Sequence, residues 1–292
     1  MKTAMDSSDS TKTAQVILKK FRQAKTIPAV ATRLIKMMEK DTAAFSDFEE
    51  VIKMDATLVL RILKLVNSSY YALRTKIKSV AEAMSFLGIE NLRNLIIIDA
   101  LKHVFTEESN IEKFSRKRLW FHCAAVSVCC QMIAERIFEQ KGEDVFLCGI
   151  LHDFGLIVEN QVIEENFKEL CLGFDPEKHQ IVDYENAVIG TNHTIIGYLL
   201  TEDWGLPIEV RQGIKWHHKQ FDTIDPASLT GILQIAEYLI FRLEYHAFPE
   251  MKTNLSRPLI NHMKSHIRDY RAIVDDLPAE LHKAEEIYGL EK

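Results

Sequence analysis

Apolar residues recur along this chain at the three-to-four-residue spacing of amphipathic helices, and no stretch alternates as a half-buried strand would. Over residues 55–66, Leu58, Ile62, Leu65 and Val66 share one face while Arg61 and Lys64 lie off it, with Asp55 placed to cap the first turn. Asn67, Ser68 and Ser69 follow, and their side chains compete for backbone hydrogen bonds and stop the helix. Similar punctuation predicts a helix from Pro28 through Met38, one over 48–54 capped by Ser46, one from Ser79 stopped by Gly88, and another beginning at Glu90. Beyond the polar stretch 106–118, the periodicity predicts helices over 119–137, 145–151, 184–200, 208–218 and 228–243, with Gly205, Leu206 and Pro207 separating two of them. Two surface helices are expected over 255–268 and 278–288. The expected fold class is therefore all-α, divided into a disordered polar leader (1–14), an N-terminal helical subdomain (15–108), a second helical subdomain (109–245) and a C-terminal helical extension (246–292).

Composition narrows the class. With 292 residues and 47% apolar content the chain can bury a substantial core, which excludes disorder throughout. A formal charge of −6, from 42 acidic and 36 basic residues, supplies no basic field for non-specific nucleic-acid binding. Residues 80–98 have the outline of a helix-turn-helix, but a recognition helix needs polar and basic side chains, whereas Leu92, Leu95, Ile96, Ile97 and Ile98 call for burial. DNA is not an expected partner. The apolar run Leu95 to Ile98 is too short to span a bilayer and is flanked by Arg93 and Asp99. Five cysteines without a C-x-x-C pair, mostly in apolar helical stretches, fit a reduced, cytoplasmic setting.

The candidate chemistry sits in the second half. Residues 145–151 are apolar nearly all round, and this buried helix runs straight into His152 and Asp153. A buried carboxylate is normally paired, hydrogen-bonded or bound to metal. His122, His193, the adjacent His217 and His218, and Glu237 each stand in comparably apolar surroundings, separated by about one helix plus a connection. Five imidazoles and two carboxylates from different helices could hold one or two divalent transition metal ions such as iron, manganese, zinc or nickel, with Asp153 bridging, and such a pair could assist phosphoester hydrolysis. The alternative for each histidine alone is a satisfied core residue. His262 and His266 have the i, i+4 spacing of a helical metal pair but share a charged helix with Lys264 and Arg268, which reads as a solvated face. Cys123, beside His122, reads as core packing.

The order His122, His152-Asp153, His193, His217-His218 and Glu237 resembles the His-Asp (HD) phosphohydrolase superfamily, in particular its HD-GYP-like branch. In the first half, Ile27-Pro28-Ala29-Val30, Met54-Asp55-Ala56-Thr57-Leu58, Leu63 to Tyr70 and Ala83 to Gly88 resemble the HDOD family of bacterial signalling output domains. Together these motifs cover roughly residues 20–245. The resemblance implies an N-terminal helical bundle packed on an HD-domain-like helical bundle, and a regulatory role through a signalling protein partner or a small ligand rather than full hydrolase chemistry. It also marks departures. Leu156 stands where HD-GYP enzymes carry a lysine, Lys219-Gln220-Phe221 replaces the acid and Gly-Tyr-Pro signature, and Glu237 replaces an aspartate. No catalytic residue is assigned on this basis, and an active metal-dependent phosphohydrolase remains the alternative.

Overall fold

The computed structural model describes residues 7–24, 37, 45–68, 71, 73–106, 111–246 and 254–288; among these there are fifteen helices and no strand. The helix expected from Pro28 through Met38 lies, apart from Met37, outside the described residues, as does the segment 107–110 within the expected domain boundary.

Residues 7–14, expected as part of a disordered leader, belong instead to α1 (Ser7–Ala24). Ala14, Ile17, Leu18 and Phe21 recur at helical spacing and are buried, and the Ser10 hydroxyl donates to Thr191 Oγ1 at 3.2 Å. The polar N-terminal composition hid this because the helix needs only one narrow apolar stripe to dock. It docks on the second half of the chain, where Phe21 meets Phe154 edge-on at 6.3 Å and Arg22 pairs with Asp203.

Helices α2 (Phe45–Lys53), α3 (Ala56–Val66), α4 (Val80–Leu87) and α5 (Ile89–Thr106) follow. Asp55 caps α3 by accepting from the Leu58 backbone N–H at 3.0 Å. Asn67 then does more than stop that helix. Its Nδ2 donates to the carbonyls of Leu63 and Ile77 at 2.7 and 2.8 Å, and its Oδ1 accepts from the Ile77 N–H at 2.8 Å, tying the returning loop to the helix end. Ser79 caps α4 through the Glu82 N–H, and Gly88 ends it at φ +77°, a backbone region that favours glycine. On α5, Leu92, Leu95, Ile96, Ile97 and Ile98 are all buried, as their pattern required. Arg93, also buried, pairs with Asp144 at 2.8 Å, and the Asn94 amide donates to the Glu143 carbonyl, so α5 is fastened to the second half.

At the centre of that half lies α6 (Arg116–Ile137), with α7 (Glu143–Leu151), α8 (Phe154–Val162), α9 (Glu164–Gly173), α10 (Ile181–Val188), α11 (His193–Asp203), α12 (Ile208–Trp216) and α13 (Leu229–Arg242) around it. The single helix expected over 184–200 is two, broken at Gly190 (φ +83°) and restarted by Asn192, whose side chain accepts from the Ile195 N–H. The stretch Glu143–Val162 is long and apolar enough to cross a membrane by length and composition, but 89% of it is buried inside the bundle. It is also two helices, turning at His152 and Asp153.

The expected pair of surface helices becomes α14 (Arg257–Ser265) and α15 (Ile267–Tyr288), with Pro278 inside the second rather than opening it. Nor is α15 superficial. Tyr270, Ile273, Leu277, Leu281 and Ala284 are buried on a face that packs against α6.

Candidate metal centre

Five elements deliver the site. His122 projects from α6, His152 and Asp153 form the turn between α7 and α8, His193 opens α11, His217 and His218 follow α12, and Glu237 lies on α13. Gly155 allows α8 to start so close to α11, since a Cβ built there would lie 2.1 Å from the His193 carbonyl oxygen. All seven side chains expected from the sequence meet in one place, in two groups whose members lie within 4.8 Å of one another: Asp153, His193, His217 and His218, and His122, His152 and Glu237.

Asp153 links the groups. Its Oδ1 lies 3.4 Å from His193 Nε2 and 3.5 Å from His217 Nε2, while its Oδ2 lies 3.3 Å from His152 Nε2 and 3.7 Å from His122 Nε2. On the second side Glu237 Oε1 reaches His152 Nε2 at 2.8 Å and His122 Nε2 at 3.0 Å.

The outer nitrogen of four rings is already committed. Nδ1 of His122, His152 and His217 faces the carbonyls of Tyr245, Gly149 and Ile214, each at 2.7 Å. Nδ1 of His193 faces both oxygens of Glu185, at 2.8 and 2.7 Å. Since a backbone carbonyl can only accept, Nδ1 of His122, His152 and His217 carries the proton, and in the neutral ring Nε2 presents a lone pair to the interior. His193 and His217 bring their Nε2 atoms within 3.3 Å of each other. His152 Nε2, Asp153 Oδ1, His218 Nε2 and Glu237 Oε1 are buried without an aligned hydrogen-bond partner, despite the short contact between His152 and Glu237. Converging lone pairs that cannot satisfy one another fit a cation.

Protonation divides the site the same way. Burial works against charge on His122 and His152, but for His122 the Glu237 carboxylate, and for His152 Asp153 together with Glu237, outweigh it and raise both imidazoles. Burial pushes His193 down to about 4 and also lowers His217 and His218. Burial likewise opposes ionisation of Asp153 and Glu237, yet the facing imidazoles hold both well below the usual carboxylate range. The two acids are therefore anionic, each facing imidazoles that favour the charged form.

Glu185 and Glu159 were not singled out in the sequence. Glu185 belongs to α10, whose Asp183-Tyr184-Glu185-Asn186 run has a surface composition, so nothing there signals burial; it is nevertheless fully buried behind His193. Glu159 did carry a signal, an acid in the apolar run Phe154–Val162, the same cue that marks Glu237. It too is fully buried, and burial followed by the Glu185 carboxyl raises it well above the usual carboxylate range.

Leu156 is fully buried, so no side-chain cation comes from that position. A cavity of about 420 Å³ opens beside the cluster, with His217, His218 and Glu237 among its walls. Cys123 is buried and its thiol is pushed well above its ordinary value, first by burial, so it stays protonated; the five described cysteines are all free and buried. His262 and His266 stack on each other at 4.3 Å, remote from the cluster in sequence and in ligand set.

An all-helical bundle with a buried His-Asp centre assembled from five elements is the HD-like architecture. The family model for the HDOD domain matches residues 24–220, and the chain belongs to that family. A protein of Treponema pallidum (strain Nichols), described only as uncharacterized, is 25% identical over 215 residues, covering 72% of this chain and 40% of its own length. The chain thus spans less than half of that relative. Among solved structures, an HDOD domain protein with unknown function from Geobacter sulfurreducens aligns with a TM-score of 0.65 at 22% identity, over 93% of this chain and 99% of that one. A Marinobacter aquaeolei VT8 protein named "Putative signal transduction protein" aligns with a TM-score of 0.72 at 19% identity, over 98% of this chain and 67% of that one. Likenesses at these identities establish the shared fold.

Proposed function

We propose that this chain is a bacterial, cytoplasmic signal-transduction output or adaptor protein of HDOD type, regulating through a partner protein or small ligand, with one or two divalent transition metal ions held in its HD-like half. The observation that carries the metal reading is the convergence of buried ligand atoms without an aligned partner, His152 Nε2, Asp153 Oδ1, His218 Nε2 and Glu237 Oε1, in one cluster. His193, His217, His218 and Asp153 would hold one ion, and His122, His152 and Glu237 the other, with Asp153 shared. Bound there, the metal would supply Lewis acidity toward an oxygen of a ligand. The protein's own contribution is orientation: backbone carbonyls and Glu185 hold the outer nitrogens of the rings and so aim the inner ones at the cluster.

The buried Leu156, which leaves the cluster without a fixed cation from α8, favours ligand binding over turnover. Metal-loaded protein should hydrolyse nucleotides and simple phosphoesters far below the ordinary enzymatic range of roughly 1–1000 per second. Turnover within that range, abolished by His152→Ala, would establish the second reading, a metal-dependent phosphohydrolase. The observation favouring that reading is that all seven donors are retained beside an open cavity.

A further inference from the structure

The cavity beside the cluster has a charge pattern that the metal reading alone does not explain. It is lined on one side by His217, His218 and Glu237 and on another by Lys215 and Lys219, which follow each other at i, i+4 across Trp216. The Lys215 ammonium lies 4.7 Å from the Trp216 ring centroid and 4.6 Å from that of Tyr198, and the Lys219 ammonium lies 4.4 Å from Trp216. Stacking on aromatic faces restrains the two amines without neutralising them. Among the described residues, no carboxylate forms an ion pair with either, whereas Arg211, on the same helix as Lys215, is paired with Glu202.

The balance of charge identifies the ligand. A pair of divalent ions in a cage with only two carboxylates, Asp153 and Glu237, leaves an excess of positive charge, and Lys215 and Lys219 add to it. Besides Glu237, Asp183 is the only acid lining the cavity among the described residues. A neutral molecule or a monocarboxylate would leave most of that charge uncompensated, whereas a phosphate chain carries several negative oxygens on a span that can face ammonium and metal together. A cavity of about 420 Å³ is of the size that takes a small molecule.

We propose that Lys215 and Lys219 form, with the metal cluster, a site for the phosphate chain of a small phosphorylated ligand, so that α12 supplies the cations that position 156 lacks. This rests on the metal reading above. It does not require that the ligand be hydrolysed.

The probe is inorganic pyrophosphate, titrated calorimetrically into the full chain reconstituted with manganese, with metal content measured on every sample. Trp120 and Trp204 are buried, so a change in tryptophan fluorescence on titration reports chiefly on Trp216. Lys215→Gln and Lys219→Gln should each weaken binding roughly tenfold, the loss expected of one charge-assisted hydrogen bond, and leave metal content and helicity unchanged. The double variant should lose more than either. A wild-type protein that holds metal but ignores pyrophosphate, or a double variant that binds it as tightly as wild type, would overturn the anion site while leaving the cage intact. A protein that takes up no metal would contradict the cage itself, and with it this site.

Discussion

Nδ1 of His193 lies within hydrogen-bond distance of both oxygens of Glu185, which also accepts from the His193 backbone N–H at 3.3 Å, so one carboxyl group fixes the ring and the start of α11 together. Glu185→Gln should therefore weaken metal binding by about 10–100-fold, the usual effect of losing an outer partner of a ligating histidine, as measured by competition with a chelator. Glu159 acts one step further out. It faces Glu185, is influenced by Asp153, and neighbours the Cys171 thiol, and no donor aligns with its oxygens. An acid whose folded value is raised binds a proton that the unfolded chain has released, so it costs stability increasingly as pH rises above the unfolded value of about 4.5. Glu159→Gln removes that cost. Its melting temperature relative to wild type should climb between pH 5 and pH 8; a difference that stays flat or falls with pH would show that Glu159 is ionised in the native protein.

At the scale of elements, docking of α1 and the approach of α8 to α11 decide whether the cluster assembles. Leu18 is fully buried although α1 begins in a polar segment. Leu18→Ala should cost about 2–5 kcal/mol in denaturant unfolding, whereas a free leader would show no change. Gly155→Ala should destabilise by about 2–3 kcal/mol and reduce metal content, because the added carbon meets backbone that cannot step aside. Helices with a broad apolar face and a cap, such as α3 and α4, were legible in the sequence to within a residue or so. Those with narrower stripes were not. Residues 7–14 looked polar throughout, and α8 and α9 lacked punctuation separating them from the buried run before them. Gly190 was passed over because the apolar spacing resumes after it, and only the backbone's positive φ there reveals the break.

For the whole molecule, the cluster was more legible than its supports. Histidines and acids stranded in apolar helices advertise themselves, since burying them is costly without partners. Glu185, by contrast, is surrounded in sequence by polar residues, and the carbonyls of Gly149, Ile214 and Tyr245 carry no side-chain signature at all. The two halves also pack on each other, as the sequence implied. The hydrophobic core runs continuously through both, α1 packs on the HD-like half, and Arg93 and Asn94 fasten α5 to α7. The central claim is that this cluster is a metal cage, and elemental analysis of the purified, reconstituted protein tests it most directly. The account predicts at least about one divalent transition metal ion per chain, approaching about two, and a marked loss in His193→Ala. Less than about 0.2 ion per chain, unchanged by that substitution, would contradict it.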